Sequence, residues 1–241
     1  MDTLDLVKHT SPLINSAGSG YYFHPDTLAK GKEIGLDGFR FYFLGRGGVL
    51  GDVEPAVVVS AFGYFNAGLV ANMWNSAKEK VAPREAAGVH LACADDFGRS
   101  KLAGVEGLDA FVAAAEKVIT STDASGLTLF AAIAAEPMPD DIAARAYRCV
   151  VLLRELRGSA HLVAVVAEGL TTDVAHAIKR PGDVSTFGYA EPPEVTDEAR
   201  AALDAAEHRT DAIVTRFFEV LDDDQKAAFV QGVDAIAAAL A

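Results

Sequence analysis

The sequence predicts an all-α protein, a multi-helix bundle around a central apolar helix with two further helices at the C-terminus. Three observations carry this. Alanine is abundant while threonine and isoleucine are sparse, a balance that favours helix. Apolar residues recur at helical spacing, with little strand-like alternation. Prolines and glycines fall where helices would start and stop. With 241 residues, 51% of them hydrophobic, the chain can bury one sizeable core.

Each element follows from local signals. Residues 3–16 read as helix, kinked or divided by Pro12. GSGYY (18–22) is a loop, and His24-Pro25-Asp26 opens a helix that stops near Gly35. Residues 36–46 alternate enough to allow a strand, but Phe39, Tyr42 and Phe43 share a helical face and the surroundings are helical. Gly45, Gly47, Gly48 and Gly51 predict a tight loop with glycines at positive φ. Residues 55–77 carry no charge and follow Pro55; they predict one central core helix. Ser60, Asn66, Asn72 and Asn75 interrupt that stretch and argue against a membrane segment. Further helices are expected from Pro83 to about Leu102, over 106–121 and over 126–135, the last stopped by Pro137 and Pro139. Asp140 or Asp141 caps a long helix over 142–170, and Thr171 or Thr172 a short one ending by Pro181. Two helices close the chain, about 197–220 and 223–240, the last opened by a capping-box spacing of Asp222 and Gln225. PGDVSTFGYAEPPEV (181–195) is the clearest linker. The expected organisation is a helical ligand-binding body (1–180), a linker (181–196) and a C-terminal packing or dimerisation segment (197–241).

The formal charge is −13 and lies mostly in the second part of the chain. Residues 1–104 hold ten basic and eleven acidic residues; residues 105–241 hold eleven and twenty-three. Such a tail repels phosphate backbones. Cys93 and Cys149 stand alone in apolar helical contexts without a CxxC, as in a reducing cytoplasm. MDTLDLVKH places acids where an export signal would be basic, so a cytoplasmic protein is expected.

Known catalytic motifs are absent: no HExxH, GxSxG or Walker loop occurs, and GRGGVLG (45–51) lacks nucleotide-binding spacing. The chemistry concentrates instead in IAARAYRCVVLLRELRGSAHLVAVVAEGL (142–170). Tyr147, Arg154 and His161 are seven apart and share a stripe, with Arg157 one turn before His161. Polar groups in an apolar helix need partners or a ligand. Arg154 and Glu155 also read as an ion pair on a solvated edge, and His161 as a capped core histidine, a pocket donor or an acid/base. Arg40, Tyr42 and Arg46 form either a surface group snorkelling over aromatic rings or an arginine clamp for an anion. Asn66, placed inside the charge-free helix, would need partners or contact a ligand. Phe62 and Phe65, with Phe39, Tyr64 and Trp74, would supply an aromatic wall, and Tyr21-Tyr22-Phe23 a pocket mouth. Asp204, His208 and Asp211 share a face, but surface pairing accounts for them better than a metal; no metal or cofactor is identified.

FRFYFLGRGGVLG (39–51), AFGYFNAGLV (61–70), LLRELRGSAHLVAVVAEGL (152–170) and EARAALDAAEHRTDAIVTRFFEVL (198–221) resemble an actinobacterial family whose members carry the label helix-turn-helix. The resemblance implies an all-helical body followed by a MarR-like winged-helix segment, of which the C-terminal helices would be a degenerate remnant. Here only DVSTFGYAEPPEVTDE (183–198) stands in the place of that segment, too short for a recognition helix and a wing. Residues 181–241 hold four basic and thirteen acidic residues. Nucleic acid is therefore not an expected partner.

The leading expectation is a small-molecule-binding protein whose pocket lies between 36–46, 55–77 and 142–169. Its ligand would be aromatic or anionic, held by Arg40, Arg46, Arg154 or Arg157 and by His161. The alternatives are an enzyme using His161 as acid/base in the same pocket, a MarR-like regulator, and a scaffold that dimerises through its alanine-rich C-terminal helices.

Overall fold

The computed structural model describes residues 1–241 and contains twelve α-helices and no strand. They are α1 (Thr3–Ala17), α2 (Pro25–Glu33), α3 (Gly38–Gly47), α4 (Pro55–Phe62), α5 (Ala67–Lys78) and α6 (Pro83–Lys101). There follow α7 (Leu108–Ser121), α8 (Thr128–Ala134), α9 (Ile142–Ala167), α10 (Thr172–Lys179), α11 (Asp197–Phe218) and α12 (Asp223–Leu240). No helix is long and apolar enough to cross a membrane.

The central element is α9. Its N-terminus is fixed by Asp141, whose carboxylate accepts from the Ala144 amide at 3.0 Å. It is buried on nearly every side because α1, α6, α7, α8 and α11 all pack on it. The charge-free stretch expected at the centre is instead two peripheral helices. Gly63, at φ +66°, ends α4, and the Asn66 side chain caps α5 by accepting from the Gly68 amide at 2.9 Å. The uncharged composition signals a buried helix, but GYFN is a stop followed by a cap.

The glycine-rich stretch also differs from its expected form. Gly45 and Gly47 are helical, Gly48 opens a 3-10 turn, and within the stretch only Gly51 takes positive φ. Their role is close approach: a Cβ on Gly48 would lie 2.0 Å from the Pro83 carbonyl oxygen, and one on Gly45 2.7 Å from His90. These glycines let α3 lie directly on α6. Pro12 sits inside α1 without ending it.

The last two helices join the main core. Val214, Phe218, Phe229, Val233 and Ile236 belong to the same apolar cluster as the residues of α1, α7 and α9. Gly232 brings α12 so close to α7 that a Cβ there would be 2.4 Å from Phe111 Cβ. The Asp222–Gln225 capping box is formed in full. Residues 181–196 thus connect helices that share one core, and Phe187 within them stacks on Phe65 at 4.2 Å between ring centroids. A smaller cluster of Ala164, Val165, Leu170, Ala175, Leu203 and Ala206 fastens α10 and α11 to the end of α9.

Candidate functional site

Glu155 is buried in α9, with its side chain only 2% exposed. A bare carboxylate there would be costly, and four donors surround it. Arg46 of α3 donates from Nε at 3.0 Å and from Nη2 at 2.7 Å. Arg154 Nη1 donates at 2.9 Å, and the Tyr22 hydroxyl at 2.8 Å. Burial pushes the Glu155 carboxyl up, but the Arg46 and Arg154 guanidiniums and these hydrogen bonds outweigh it and hold it at about 2. Arg46 uses its third nitrogen on the Tyr42 hydroxyl at 3.0 Å and lies over the Phe62 ring at 4.4 Å. All three of its nitrogens are engaged. Arg154 differs: Nη1 is shared between Glu155 and Tyr22, while Nε is buried without a partner. Two guanidiniums thus face one carboxylate.

This group lies on a cavity of about 530 Å³. Its walls are α3 (Phe39, Tyr42, Arg46), the α4–α5 turn (Phe62, Tyr64, Phe65), α9 from Arg154 to Leu162, and the α10 region through Phe187. The aromatic side is a mutually packed set: Tyr22 to Tyr42 at 5.2 Å, Phe43 to Phe65 at 4.9 Å, and Phe187 between Phe65 and His176. The lining includes Arg46, Arg154, Arg157, Lys179 and Arg180 against Glu155 and Asp183. In a chain of formal charge −13, this is a local excess of positive charge.

The far end of the polar stripe is tied to α11. Arg157 donates to Glu207 at 2.9 Å and lies 3.5 Å from Asp211; Lys179 also pairs with Glu207. Burial raises the Glu207 carboxyl, but the bonds from Lys179 and Arg157 and the charges beside it bring it to about 2. His161 Nδ1 is 2.9 Å from Thr210 Oγ1, and the Thr210 hydroxyl donates to the Ala206 carbonyl at 2.6 Å. With its proton used there, Thr210 is left as an acceptor, so Nδ1–H donates to it and Nε2 carries the lone pair. Burial holds the imidazole neutral, at about 4, despite Glu207 3.6 Å from Nε2. The arrangement can accept a hydrogen bond at His161 and satisfy an anion at Arg154.

Of the residues singled out from sequence, Tyr42, Arg46, Phe62, Phe65, Arg154, Arg157 and His161 come together on this cavity. Three lie elsewhere. Arg40 pairs with Asp37 and with Ser76 of α5, away from the cavity. Asn66 caps α5. Tyr147 is fully buried and donates to the Ala17 carbonyl at 2.8 Å. Trp74 is also enclosed, donating to the Val53 carbonyl. Arg154 and Glu155 are no solvated edge pair, because Arg46 of α3 covers Glu155 and Tyr22 packs over Arg154. Asp204 and His208 are not brought together with Asp211, which turns towards Arg157. Sequence reasoning missed Glu207, Thr210, Lys179 and Phe187. Glu207 and Thr210 sit on a helix with an ordinary amphipathic pattern, so only the tertiary crossing of α11 on α9 reveals them.

The fold and cavity define an all-helical protein with an open, aromatic-lined cavity and an excess of arginine. Residues 7–185 match the profile of a helix-turn-helix family, and the chain belongs to that family. The match runs from α1 past α10 and ends before α11 and α12. No curated protein and no solved structure matches the chain.

Proposed function

We propose that this member of the helix-turn-helix family binds a small aromatic or anionic molecule in the cavity, with the ligand's charge on Arg154. One observation carries the reading: two largely buried guanidiniums share a single buried carboxylate beside an aromatic-lined cavity. An uncompensated buried charge is expensive, and a bound anion would compensate it. The volume of about 530 Å³ suits a compact organic acid. Thermal-shift and calorimetric titration with aromatic acids such as 2-naphthoate tests it. Arg154→Met should weaken binding about tenfold to a hundredfold, because a charged hydrogen bond is lost. The fold should survive, since Arg46 and Glu155 remain a balanced pair. Equal binding by both proteins would refute the assignment.

Family membership favours one second reading, a nucleic-acid-binding regulator whose effector occupies the cavity. α4 and α5 are joined by four residues, yet their sole charge, Lys78, pairs with Asp52. Phosphate contacts would have to come from another face. A gel shift at moderate salt with and without 2-naphthoate separates the readings; no shifted species leaves the binding protein alone.

A further inference from the structure

Residues four apart on a helix stand along one line of its surface. On α9 one such line runs Arg154, Gly158, Leu162, Val166. Arg154 and Gly158 line the cation-rich cavity, Leu162 lines that cavity and a second one of about 450 Å³, and Val166 lines only the second. Ala61, Phe65 and Ser159 are also common to both. The two spaces therefore abut along α9. They are parted at Leu162, against which the α4 end packs so closely that a Cβ on Gly63 would be 2.6 Å from Leu162 Cδ1.

The chemistry changes steadily along the line. Arg154 is a cation with an unpaired buried Nε. Gly158 leaves a bare floor: an added Cβ would meet nothing within 4 Å. Beyond it Leu162 and Val166 are hydrocarbon, and the second cavity, lined by apolar side chains with a few serines and threonines, has no charged residue in its lining. Val163 and Val166 at its rim are 43% and 66% exposed, a place where large apolar side chains face water.

We propose that the second cavity holds the hydrocarbon tail of an acyl-chain carboxylate whose head sits on Arg154. The inference rests on the anion site proposed above and names the ligand class. A monoanion matches the single surplus charge left when two guanidiniums share Glu155. The length follows from the helix. Arg154 and Val166 are twelve residues apart, about 18 Å at the helical rise. A zigzag chain advances roughly 1.25 Å per carbon, so a tail of about ten to fourteen carbons reaches the rim. Leu162, only half-buried, must change rotamer to let the chain pass.

The test is calorimetric titration of the full chain with hexanoate, decanoate and tetradecanoate below their micellar concentrations, and with 2-naphthoate as a compact acid. Affinity should rise by about twofold to fourfold per added methylene along the series. Val166→Glu, at an exposed position where folding is not at stake, should weaken tetradecanoate at least tenfold and leave 2-naphthoate unchanged. Arg154→Met should weaken both acids. If 2-naphthoate binds through Arg154 but chain length or Val166→Glu has no effect, the tail assignment falls and the anion site stands. A rise with chain length that neither substitution alters is non-specific adsorption and overturns the proposal. If no acid binds, both readings fall.

Discussion

Six residues apart on α9, Arg148 and Arg154 differ in how many guanidiniums share their carboxylate and in the space beside them. Arg148 is 3% exposed and meets one carboxylate, donating to both oxygens of Asp95 at 2.7 and 2.8 Å. It adds the Leu91 carbonyl at 3.1 Å and lines neither of the two large cavities. Its charge is matched one to one, although its Nε, like that of Arg154, is buried without a partner. Arg154 shares its carboxylate with Arg46 and lies on the cavity. Burial of an arginine therefore does not distinguish a structural ion pair from a binding site. The ratio of guanidiniums to carboxylates, and the space beside them, does.

The largest effect should come from removing the shared carboxylate. Glu155→Ala leaves two part-buried guanidiniums facing each other at the cavity and should cost about 2–4 kcal/mol of stability. Denaturant unfolding measures this directly. A loss below about 1 kcal/mol would mean that the Arg46–Glu155–Arg154 cluster is open to water, and the contrast with Arg148 would disappear.

Arg148→Met comes next. It strands Asp95, whose side chain is 16% exposed and whose carboxyl burial already pushes up, so protonation relieves part of the loss. A cost of about 2–3 kcal/mol is expected, with 2-naphthoate binding unchanged. Arg154→Met should do the reverse: binding lost, stability nearly kept. If Arg148→Met weakens the acid as much as Arg154→Met does, the two arginines do not divide the roles in this way.

These two arginines also show what could be read from the sequence and what could not. The helical class, the helix order and most boundaries were legible, because periodicity, Pro at helix starts and the Asp222–Gln225 box are local signals. The gathering of Arg154, Arg157 and His161 on one helix was legible as well, since charge in an apolar helix stands out. Arg148 lies in the same helix and drew no notice, because its partner Asp95 is on α6 and only the packing pairs them. The break at Gly63–Asn66 was hidden by the absence of charge across 55–77, which suggested one buried helix. Arg40 looked like Arg46 in sequence. Six residues of helix turn it about 120° around α3, towards α5, where Asp37 and Ser76 take its donors. Direction around a helix is legible; which face meets the cavity is decided by neighbours from distant parts of the chain.

His161 gives the smallest and most selective test. Its surroundings combine both patterns: Nδ1 is satisfied by Thr210, as Arg148 is by Asp95, yet the ring lines the cavity with Arg154. Glu207, Lys179 and Arg157 face it, and burial sets its folded value at about 4 against 6.5 for an open imidazole. A folded value below the unfolded one gives stability that is complete above pH 6.5 and is lost as the pH falls towards 4. His90, held at about 3 by burial, and His176, shifted the same way, contribute in the same direction. Glu155 and Glu207, whose ordinary value is 4.5, act below that pH, while Asp95, pushed up by burial, works in the opposite direction, so the histidine share is read from the difference between the protein and its His161 variant. The melting temperature should fall from pH 6.5 to 4.5. His161→Asn, whose amide can still donate to Thr210, should remove part of that fall, up to about 2 kcal/mol at the acidic end, while stability at pH 8 changes little. An unchanged slope would show the imidazole to titrate in the fold as it does in the unfolded chain, and so to be charged below pH 6.5. It would then add a second surplus cation to the cavity and move the anion site along α9 from Arg154 towards α11.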